Sequence, residues 1–180
     1  MVSKNGCFIV FEGIDGSGKS TQISLLKEHI EEHSINCMTT MEPSNGPIGT
    51  LLRQFLSGRI KGEETTLTAL FAADRLDHLN NPVNGICKLL EDGIAVISDR
   101  YVFSNYAYQS VSVPLEWIMK CNEMANETVR PIATSSLMLP RKQPWIVFQR
   151  DVTRQISTRH WIVSQMSGNV ILTSSTAWRM

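Results

Sequence analysis

The chain has 180 residues, 42% of them hydrophobic, and is therefore long enough to bury one sizeable core. Its 17 basic residues balance its 17 acidic ones, which excludes a strong overall attraction to nucleic acid or to an anionic membrane surface. The balance hides an asymmetry, because residues 134–180 contain six basic residues and a single acidic residue, Asp151. A basic tail of this kind is typical of binding to an anionic partner.

The sequence lacks the features that direct a protein to a membrane or to an oxidising compartment. No apolar stretch approaches the roughly 18 residues of a membrane-spanning helix, and the apolar run near the N-terminus is too short for a signal peptide. Cys7, Cys37, Cys87 and Cys121 are widely spaced and form no CxxC pair, which favours reduced thiols. We therefore expect a soluble, cytoplasmic protein without a membrane partner.

Strands and helices are predicted to alternate along the first three quarters of the chain. Short apolar runs predict strands over residues 6–12, 37–41 and 93–99, and the third is apolar enough to be buried on both faces. Apolar residues at helical spacing predict helices over residues 19–32, 48–56, 67–90 (which Pro82 could interrupt) and 115–124. This alternation indicates an α/β fold with a parallel sheet.

The segment GIDGSGKST (13–21) directly follows the first predicted strand and leads into the first predicted helix. It matches the phosphate-loop pattern in its strand–loop–helix context. Its glycines let backbone N–H groups surround a phosphate, and the helix N-terminus favours an anion. Lys19 would contact the β- and γ-phosphates. The predicted ATP site comprises Gly13, Ile14, Asp15, Gly16, Ser17, Gly18, Lys19, Ser20 and Thr21.

A magnesium site is predicted beside this loop. The Ser20 hydroxyl would hold Mg²⁺ directly, and Asp99, at the end of the third strand, could hold the ion through water. The alternative interpretation of Asp99 is a simple strand-end cap. Mg²⁺ with ATP as the phosphate donor is therefore the predicted cofactor.

Four segments carry a family resemblance in a fixed order: FEGIDGSGKST (11–21), EPSNGPIG (42–49), LFAADRLDH (70–78) and DRYVFSNYAYQS (99–110). On these segments, over residues 7 to about 133, the chain resembles the thymidylate kinase family. The resemblance implies a P-loop nucleoside monophosphate kinase with a parallel sheet in the strand order 2-3-1-4-5. It also implies transfer of phosphate from ATP to dTMP, and the homodimer usual in the family.

The resemblance further implies the residues of the acceptor site. Phe71 would stack on the base, Arg75 would bond its carbonyl edge, and Tyr108 would pack under the sugar. Lys19, Asp15 and Arg100 would be the catalytic residues. The implied dTMP site comprises Asp15, Glu42, Arg53, Phe71, Arg75, Arg100, Ser104, Asn105, Tyr108 and Gln109.

Each of these residues also has a structural interpretation, and two alternative functions stay open. The aromatic residues could belong to the core, and the arginines could be partners in surface ion pairs. Met41 stands where the family usually has an arginine, which removes one contact to phosphate. One alternative function is another deoxynucleoside or nucleotide kinase. The other is a catalytically dead nucleotide-binding protein whose basic tail recruits nucleic acid.

Residues 134–180 lack the strand, helix and arginine-rich lid that the family has after residue 133. Read with the nucleotide frame displaced by one, however, residues 151–163 are compatible with RDKTDIYEALDR, which resembles the family's lid. Some of these residues are forced by the genetic code, since Trp161 followed by Ile162 must give Asp and His160 followed by Trp161 must give Leu. We therefore predict a thymidylate kinase-like core over residues 1–133 and an out-of-frame tail over residues 134–180.

This interpretation carries structural expectations. The strands after the third and the lid should be disrupted, which would leave one edge of the first strand open. His160 and the tryptophans of the tail should have no function. The basic charge of the tail would be a by-product of the frame, so a nucleic-acid partner is not expected.

The frame prediction is tested by independent sequencing of codons 125–180 from the source DNA. We expect the neighbouring frame to encode a strand like FIDV, then a Pro-Glu pair, then RDKTDIYEALDR. A neighbouring frame without these segments would contradict the prediction and would return nucleic-acid binding by the tail to consideration.

Overall fold

The sheet forms from the most apolar segments of the chain. The computed structural model describes residues 6–137, 161–166 and 169–174. Its strands are β1 (Phe8–Gly13), β2 (Cys37–Met41), β3 (Ala95–Asp99), β4 (Ala133–Leu137), β5 (Trp161–Met166) and β6 (Asn169–Ser174). The three strands predicted from the sequence are thus confirmed, with bounds that differ by at most two residues.

The helices lie between the strands in sequence. They are α1 (Lys19–Glu32), α2 (Pro47–Leu56), α3 (Glu64–Asn80), α4 (Ile86–Glu91), α5 (Val102–Gln109), α6 (Leu115–Cys121) and α7 (Glu123–Thr128). None of the helices in the described ranges is long and apolar enough to cross a bilayer.

The strands are hydrogen-bonded in the order β2-β3-β1-β4-β5-β6. Each neighbouring pair from β2 to β5 is parallel, and β6 is antiparallel to β5. The predicted α/β fold with the strand order 2-3-1-4-5 is therefore confirmed. Because β1 is central and pairs with β3 and β4, the carboxyl ends of all three strands meet at one edge of the sheet.

The core has two halves because β1 is buried on both faces. Phe8 and Val10 belong to one cluster, which includes residues of α3 to α7. Ile9 and Phe11 point to the other face and belong to a second cluster that includes Ile23 of α1. Successive side chains of a strand alternate between its faces, so an unbroken apolar run fits this central position.

The expectations that the strands after the third are disrupted and that β1 has an open edge are wrong for the residues described, because β4 and β5 continue the sheet. β4 pairs with β1 over its full length, from Ile9 opposite Ala133 to Gly13 opposite Leu137. The pairing already begins at Ile132, whose N–H donates to the Phe8 carbonyl at 2.8 Å. Parallel pairing uses backbone groups, so the polar sequence ATSSL does not prevent it. The segment predicted to replace the lid, residues 151–163, lies outside the described residues as far as residue 160, and its last three residues belong to β5.

One predicted helix is interrupted where the sequence suggested, and another is corrected. The helix predicted over residues 67–90 breaks before Pro82 into α3 and α4, because Asn81 takes an extended backbone (ψ 124°) that continues no helix. The helix predicted over residues 115–124 is divided at Asn122 into α6 and α7. The helix α5 was not predicted, although its segment supplied several of the expected site residues.

The contact between β1 and β4 can be tested at Gly13. This residue has φ 147°, and a Cβ added to it would lie 2.5 Å from the Leu137 carbonyl oxygen. We expect Gly13→Ala to lower the free energy of unfolding in urea by about 2–4 kcal/mol, because both backbone strain and the clash oppose it.

The matched control is Gly58→Ala. Gly58 also has a positive φ of 73°, but no described atom lies within 4 Å of an added Cβ. The free energy of unfolding should therefore fall by only about 1–2 kcal/mol, which is the strain of an alanine in the left-handed conformation. Equal losses in the two variants would contradict the seating of β4 against Gly13.

Candidate functional site

The phosphate loop surrounds a buried lysine at the carboxyl end of β1. Gly18, in the left-handed conformation at φ 92°, turns the chain into α1. Lys19 follows and is buried, and its Nζ donates to the carbonyl oxygens of Gly13 (3.1 Å) and Ile14 (3.2 Å). The positive charge is thus fixed at the mouth of the loop, where an anion would bind. Ser20 and Thr21, in the first turn of α1, are exposed.

Asp99 ends β3 beside this lysine. Its Oδ1 lies 3.9 Å from Lys19 Nζ, and within the described part of the chain this buried oxygen accepts no hydrogen bond. Burial raises the pKa of the Asp99 carboxyl, while Lys19 and Arg100 lower it. A buried carboxylate oxygen without a donor is suited to a cation or to a water bound to one. No cluster of three or more acidic, His or Cys ligands occurs among the residues described.

Arg100 joins the phosphate loop to the segment that follows β3. Its Nη2 donates to Asp15 Oδ1 at 2.6 Å, and its Nη1 donates to Ser104 Oγ at 3.0 Å. The guanidinium also lies over the Tyr108 ring, 5.3 Å from the ring centroid. The backbone of Arg100 has φ 76° and is held by its own N–H, which donates to the Phe11 carbonyl at 2.8 Å. Four predicted site residues therefore form one connected group.

Glu12 underlies this group and was not predicted. Its Oε1 accepts hydrogen bonds from the N–H groups of Tyr101 (2.9 Å) and Ser104 (3.3 Å), and its Oε2 accepts from Ser104 Oγ at 2.6 Å. Burial raises the pKa of Glu12 to about 7, and the negative charge of Glu42 raises it slightly further. The hydrogen bonds from Tyr101 and Ser104 lower this pKa but do not offset the effect of burial. The sequence offered one signal, since Glu12 is the charged residue within the otherwise apolar strand FIVFEG.

The second part of the site is a buried ion pair. Arg75, only 1% exposed, donates from Nε (2.8 Å) and Nη2 (2.6 Å) to Glu42 Oε2. Its guanidinium lies 5.2 Å from the centroid of the Tyr101 ring. His78 Nδ1 lies 3.5 Å from the other carboxylate oxygen of Glu42, and its Nε2 is 2.7 Å from Thr40 Oγ1. This pairing fixes α3 against the end of β2.

Three amide side chains form a chain of hydrogen bonds that begins at Arg75. Asn122 accepts a hydrogen bond from Arg75 Nη1 and donates from Nδ2 to Asn105 Oδ1 at 2.9 Å. Asn105 in turn donates to Gln109 Oε1 at 3.0 Å. Asn105 and Gln109 were predicted site residues, whereas Asn122 was not, and no pattern in the sequence distinguishes it.

The remaining predicted residues lie around this network. Phe71 is half-buried on α3, one turn before Arg75. Arg53 donates from Nη1 to the Pro43 carbonyl at 3.0 Å, so it borders the loop after Glu42. Met41, which replaces the family's arginine, is half-exposed and pairs in register with Asp99. All predicted site residues thus lie at the carboxyl ends of β1, β2 and β3 or on the adjoining helices.

An unpredicted pair shapes the loop that follows Glu42. Asp74 is buried and accepts hydrogen bonds from the Ser44 N–H (2.7 Å) and Ser44 Oγ (2.5 Å). Ser44 Oγ also accepts from the Gly46 N–H at 3.0 Å, just before α2 begins. Asp74 precedes Arg75 on α3, so one turn of this helix contacts the loop through Ser44 and also contributes the arginine of the ion pair with Glu42.

Comparison with known proteins gives consistent matches. Residues 11–140 match the family model described as Thymidylate kinase. A thymidylate kinase of Symbiobacterium thermophilum is 40% identical over 136 residues, which cover 73% of this chain and 62% of that protein. A probable thymidylate kinase of Pyrococcus abyssi is 41% identical over 146 residues, covering 77% of this chain and 67% of that protein.

A solved structure agrees with these matches. The crystal structure of thymidylate kinase from Ehrlichia chaffeensis superposes with a TM-score of 0.66 at 30% identity, covering 76% of this chain and 78% of that one. A putative thymidylate kinase of Treponema pallidum is 42% identical, and the alignment covers 64% of this chain but 55% of that protein. The chain thus spans less than two thirds of the length of some relatives that it matches.

The raised pKa of Glu12 predicts a dependence of stability on pH. The folded state holds this proton more tightly than the unfolded chain, since the pKa rises from 4.5 to about 7. The resulting stabilisation is complete below pH 4.5 and is lost as the pH rises through 7. This difference between the folded and unfolded pKa of Glu12 corresponds to a change of about 3 kcal/mol in the free energy of unfolding.

Glu12→Gln, which mimics the protonated acid, isolates this contribution. We expect urea unfolding to give nearly equal free energies for the two proteins at pH 4.5. At pH 8 the unsubstituted protein should be less stable than the variant by up to about 3 kcal/mol. A constant difference between pH 4.5 and pH 8 would contradict the raised pKa.

Proposed function

The chain belongs to the thymidylate kinase family, and on that premise we propose that it transfers the γ-phosphate of ATP to dTMP, giving dTDP. The observation that carries the proposal is the Arg100 bridge. Its guanidinium joins Asp15 of the phosphate loop to Ser104 and Tyr108 on α5. A single cation between a donor loop and an acceptor pocket suits the transfer of a charged group between two nucleotides.

The donor half is assigned to residues 13–21. Backbone N–H groups of the loop would bind the β-phosphate, and Lys19 would neutralise charge on the γ-phosphate. Ser20 and Asp99 would hold Mg²⁺, and the Oδ1 of Asp99, which accepts no hydrogen bond from any residue that the structure describes, supports this assignment. When bound, the ion would neutralise negative charge on the phosphates of ATP.

The acceptor half is assigned to residues of α3, α5 and the loop after β2. Arg100 and Asp15 would orient the monophosphate and the sugar, with Arg53 as a second cation near the loop of Glu42. Phe71 would stack on the base. Arg75, Ser104 and Asn105 would contact its polar edge, and Tyr108 and Gln109 would complete the pocket. Catalysis then rests on positioning and on charge, because phosphoryl transfer requires little covalent chemistry from the protein.

The tail determines how active this chain is. We retain the proposal that residues 1–133 form the thymidylate kinase-like core and that residues 134–180 are read from a displaced frame. A tail of this kind would lack the lid cations, so we expect slow turnover. Met41 in place of arginine would weaken acceptor binding further. A homodimer and a cytoplasmic location remain predictions.

The proposed function is tested by ADP release from ATP in the presence of dTMP, dUMP or thymidine. We expect dTMP to be the best acceptor, at a rate below the roughly 1–100 s⁻¹ typical of kinases. Lys19→Ala should abolish the dTMP-dependent rate, because it removes the cation at the γ-phosphate. Lys88→Ala is the matched control, since Lys88 lies on α4 and pairs with Asp92.

Three results would contradict parts of this proposal. Equal rates with dUMP or thymidine would favour another nucleotide or deoxynucleoside kinase. A rate within the ordinary range would refute the expected effect of the tail. Absence of any dTMP-dependent rate, with salt-sensitive DNA binding that is lost on deletion of residues 134–180, would favour the nucleotide-binding protein.

A further inference from the structure

Two histidines stand four residues apart at the C-terminal end of α1. His29 lies in the last turn of the helix, and His33 is its C-cap residue. Both side chains are exposed, and their ring centroids are 4.6 Å apart. Residues at this spacing share one face of a helix. Two histidines with this spacing on one helix are also typical of sites that bind Zn²⁺.

Both rings of this histidine pair turn their Nδ1 atom toward an oxygen. His33 Nδ1 lies 2.8 Å from the backbone carbonyl oxygen of His29. A carbonyl can only accept a hydrogen bond, so the neutral His33 ring carries its proton on Nδ1. His29 Nδ1 lies 3.8 Å from Glu32 Oε2, whose negative charge favours a proton on that nitrogen. In both neutral rings Nε2 therefore keeps its lone pair, which is the group that can bind a metal ion.

The hydrogen bond from the His33 ring has its origin in the end of the helix. The last four carbonyl groups of a helix have no partner within it. The backbone N–H of His33 donates to the Ile30 carbonyl at 3.2 Å instead of continuing the helix to His29. The His29 carbonyl thus accepts from the ring, and the bond that caps the helix also orients the ring. Histidine ligands of metal ions are oriented by acceptors in the same way.

The charges around the histidine pair favour a cation. Glu28, Glu31 and Glu32 lie beside the pair in sequence, whereas Lys27 is the only lysine or arginine between residues 20 and 40. Lys27 is itself paired with Glu31 at 3.7 Å. The C-terminus of a helix adds a partial negative charge of its own. An ion bound to the two rings would reduce this excess of negative charge.

We propose that His29 and His33 bind one divalent transition-metal ion through their Nε2 atoms. Imidazole suits Zn²⁺, Ni²⁺ and Cu²⁺, whereas Mg²⁺ prefers oxygen ligands. The remaining coordination positions would be filled by water. The phosphate loop lies at the opposite end of α1, whose 14 residues span about 21 Å. The proposed site is thus separate from the Mg²⁺ site assigned above, and this inference does not rest on the proposed function.

Calorimetric titration of the full chain with Ni²⁺, in excess Mg²⁺, tests the proposal. We expect one ion to bind, and His29→Gln and His33→Gln should each weaken its binding about 10- to 100-fold, because each variant removes one of the two ligands. Burial raises the pKa of the Cys7, Cys37 and Cys87 thiols, so these thiols should compete poorly for the ion. Absence of Ni²⁺ binding to the unsubstituted protein would overturn the proposal.

A spacing variant is the matched control. His33→Gln combined with Glu31→His keeps two histidines at the end of α1 but places them two residues apart, where they do not face each other. This variant should bind Ni²⁺ no better than His33→Gln alone. Glu31→Gln removes the same negative charge but keeps the histidine pair, so its affinity should fall at most about fivefold. Equal affinities of the spacing variant and the unsubstituted protein would overturn the proposal.

A second measurement depends on no variant. In ¹⁵N-labelled unsubstituted protein at about pH 8, long-range ¹H–¹⁵N spectra show which nitrogen of each neutral imidazole carries the proton. We expect the His33 proton on Nδ1, and we expect added Zn²⁺ to shift the Nε2 resonances of both His29 and His33. A His33 proton on Nε2, or Nε2 resonances that do not respond to Zn²⁺, would overturn the proposal.

Discussion

The buried carboxylate of Glu12 joins the two segments on which both halves of the site are built. The phosphate loop begins at the next residue, and the same carboxylate binds the backbone N–H groups of Tyr101 and Ser104 at the start of α5. Ser104 Oγ lies between Glu12 and Arg100 and bonds to both. Without an acceptor at this position, the loop after β3 would have three unsatisfied donors beside the phosphate loop.

A second buried charge organises the acceptor side. Removing Arg75 and Glu42 from water is costly, and their mutual attraction offsets this cost only with good geometry and additional hydrogen bonds. Glu42 Oε2 receives two of the arginine's donors and Asn122 receives a third, while the Tyr101 ring faces the cation. A buried arginine of this kind specifies one arrangement of its neighbours, because every alternative leaves a charge unpaired.

Local features of the site were predictable from the sequence and the grouping of the acceptor residues followed from the family resemblance, whereas individual long-range hydrogen bonds were not predicted. The phosphate loop is recognisable because its glycines, Lys19 and Ser20 are adjacent in the chain and their context is a strand followed by a helix. Asn122 carries no such signal, since its partner Arg75 is 47 residues away. The pairing of β4 was missed for a different reason. Side-chain patterns predict which face of a strand is buried, but backbone groups alone can pair a polar segment such as Ala133–Leu137 with β1.

The backbone of Arg100 has a consequence for how this site can change. A non-glycine residue at φ 76° is strained by about 1–2 kcal/mol. Its N–H, which bonds Phe11, and its carbonyl, which accepts from Ser98 Oγ at 2.8 Å, hold it in that conformation. Glycine would relieve the strain, but it would also remove the cation between the donor loop and α5. At this position glycine would relieve the backbone strain, whereas arginine supplies the cation that the site requires. Selection for thermal stability and selection for activity would therefore favour different amino acids here.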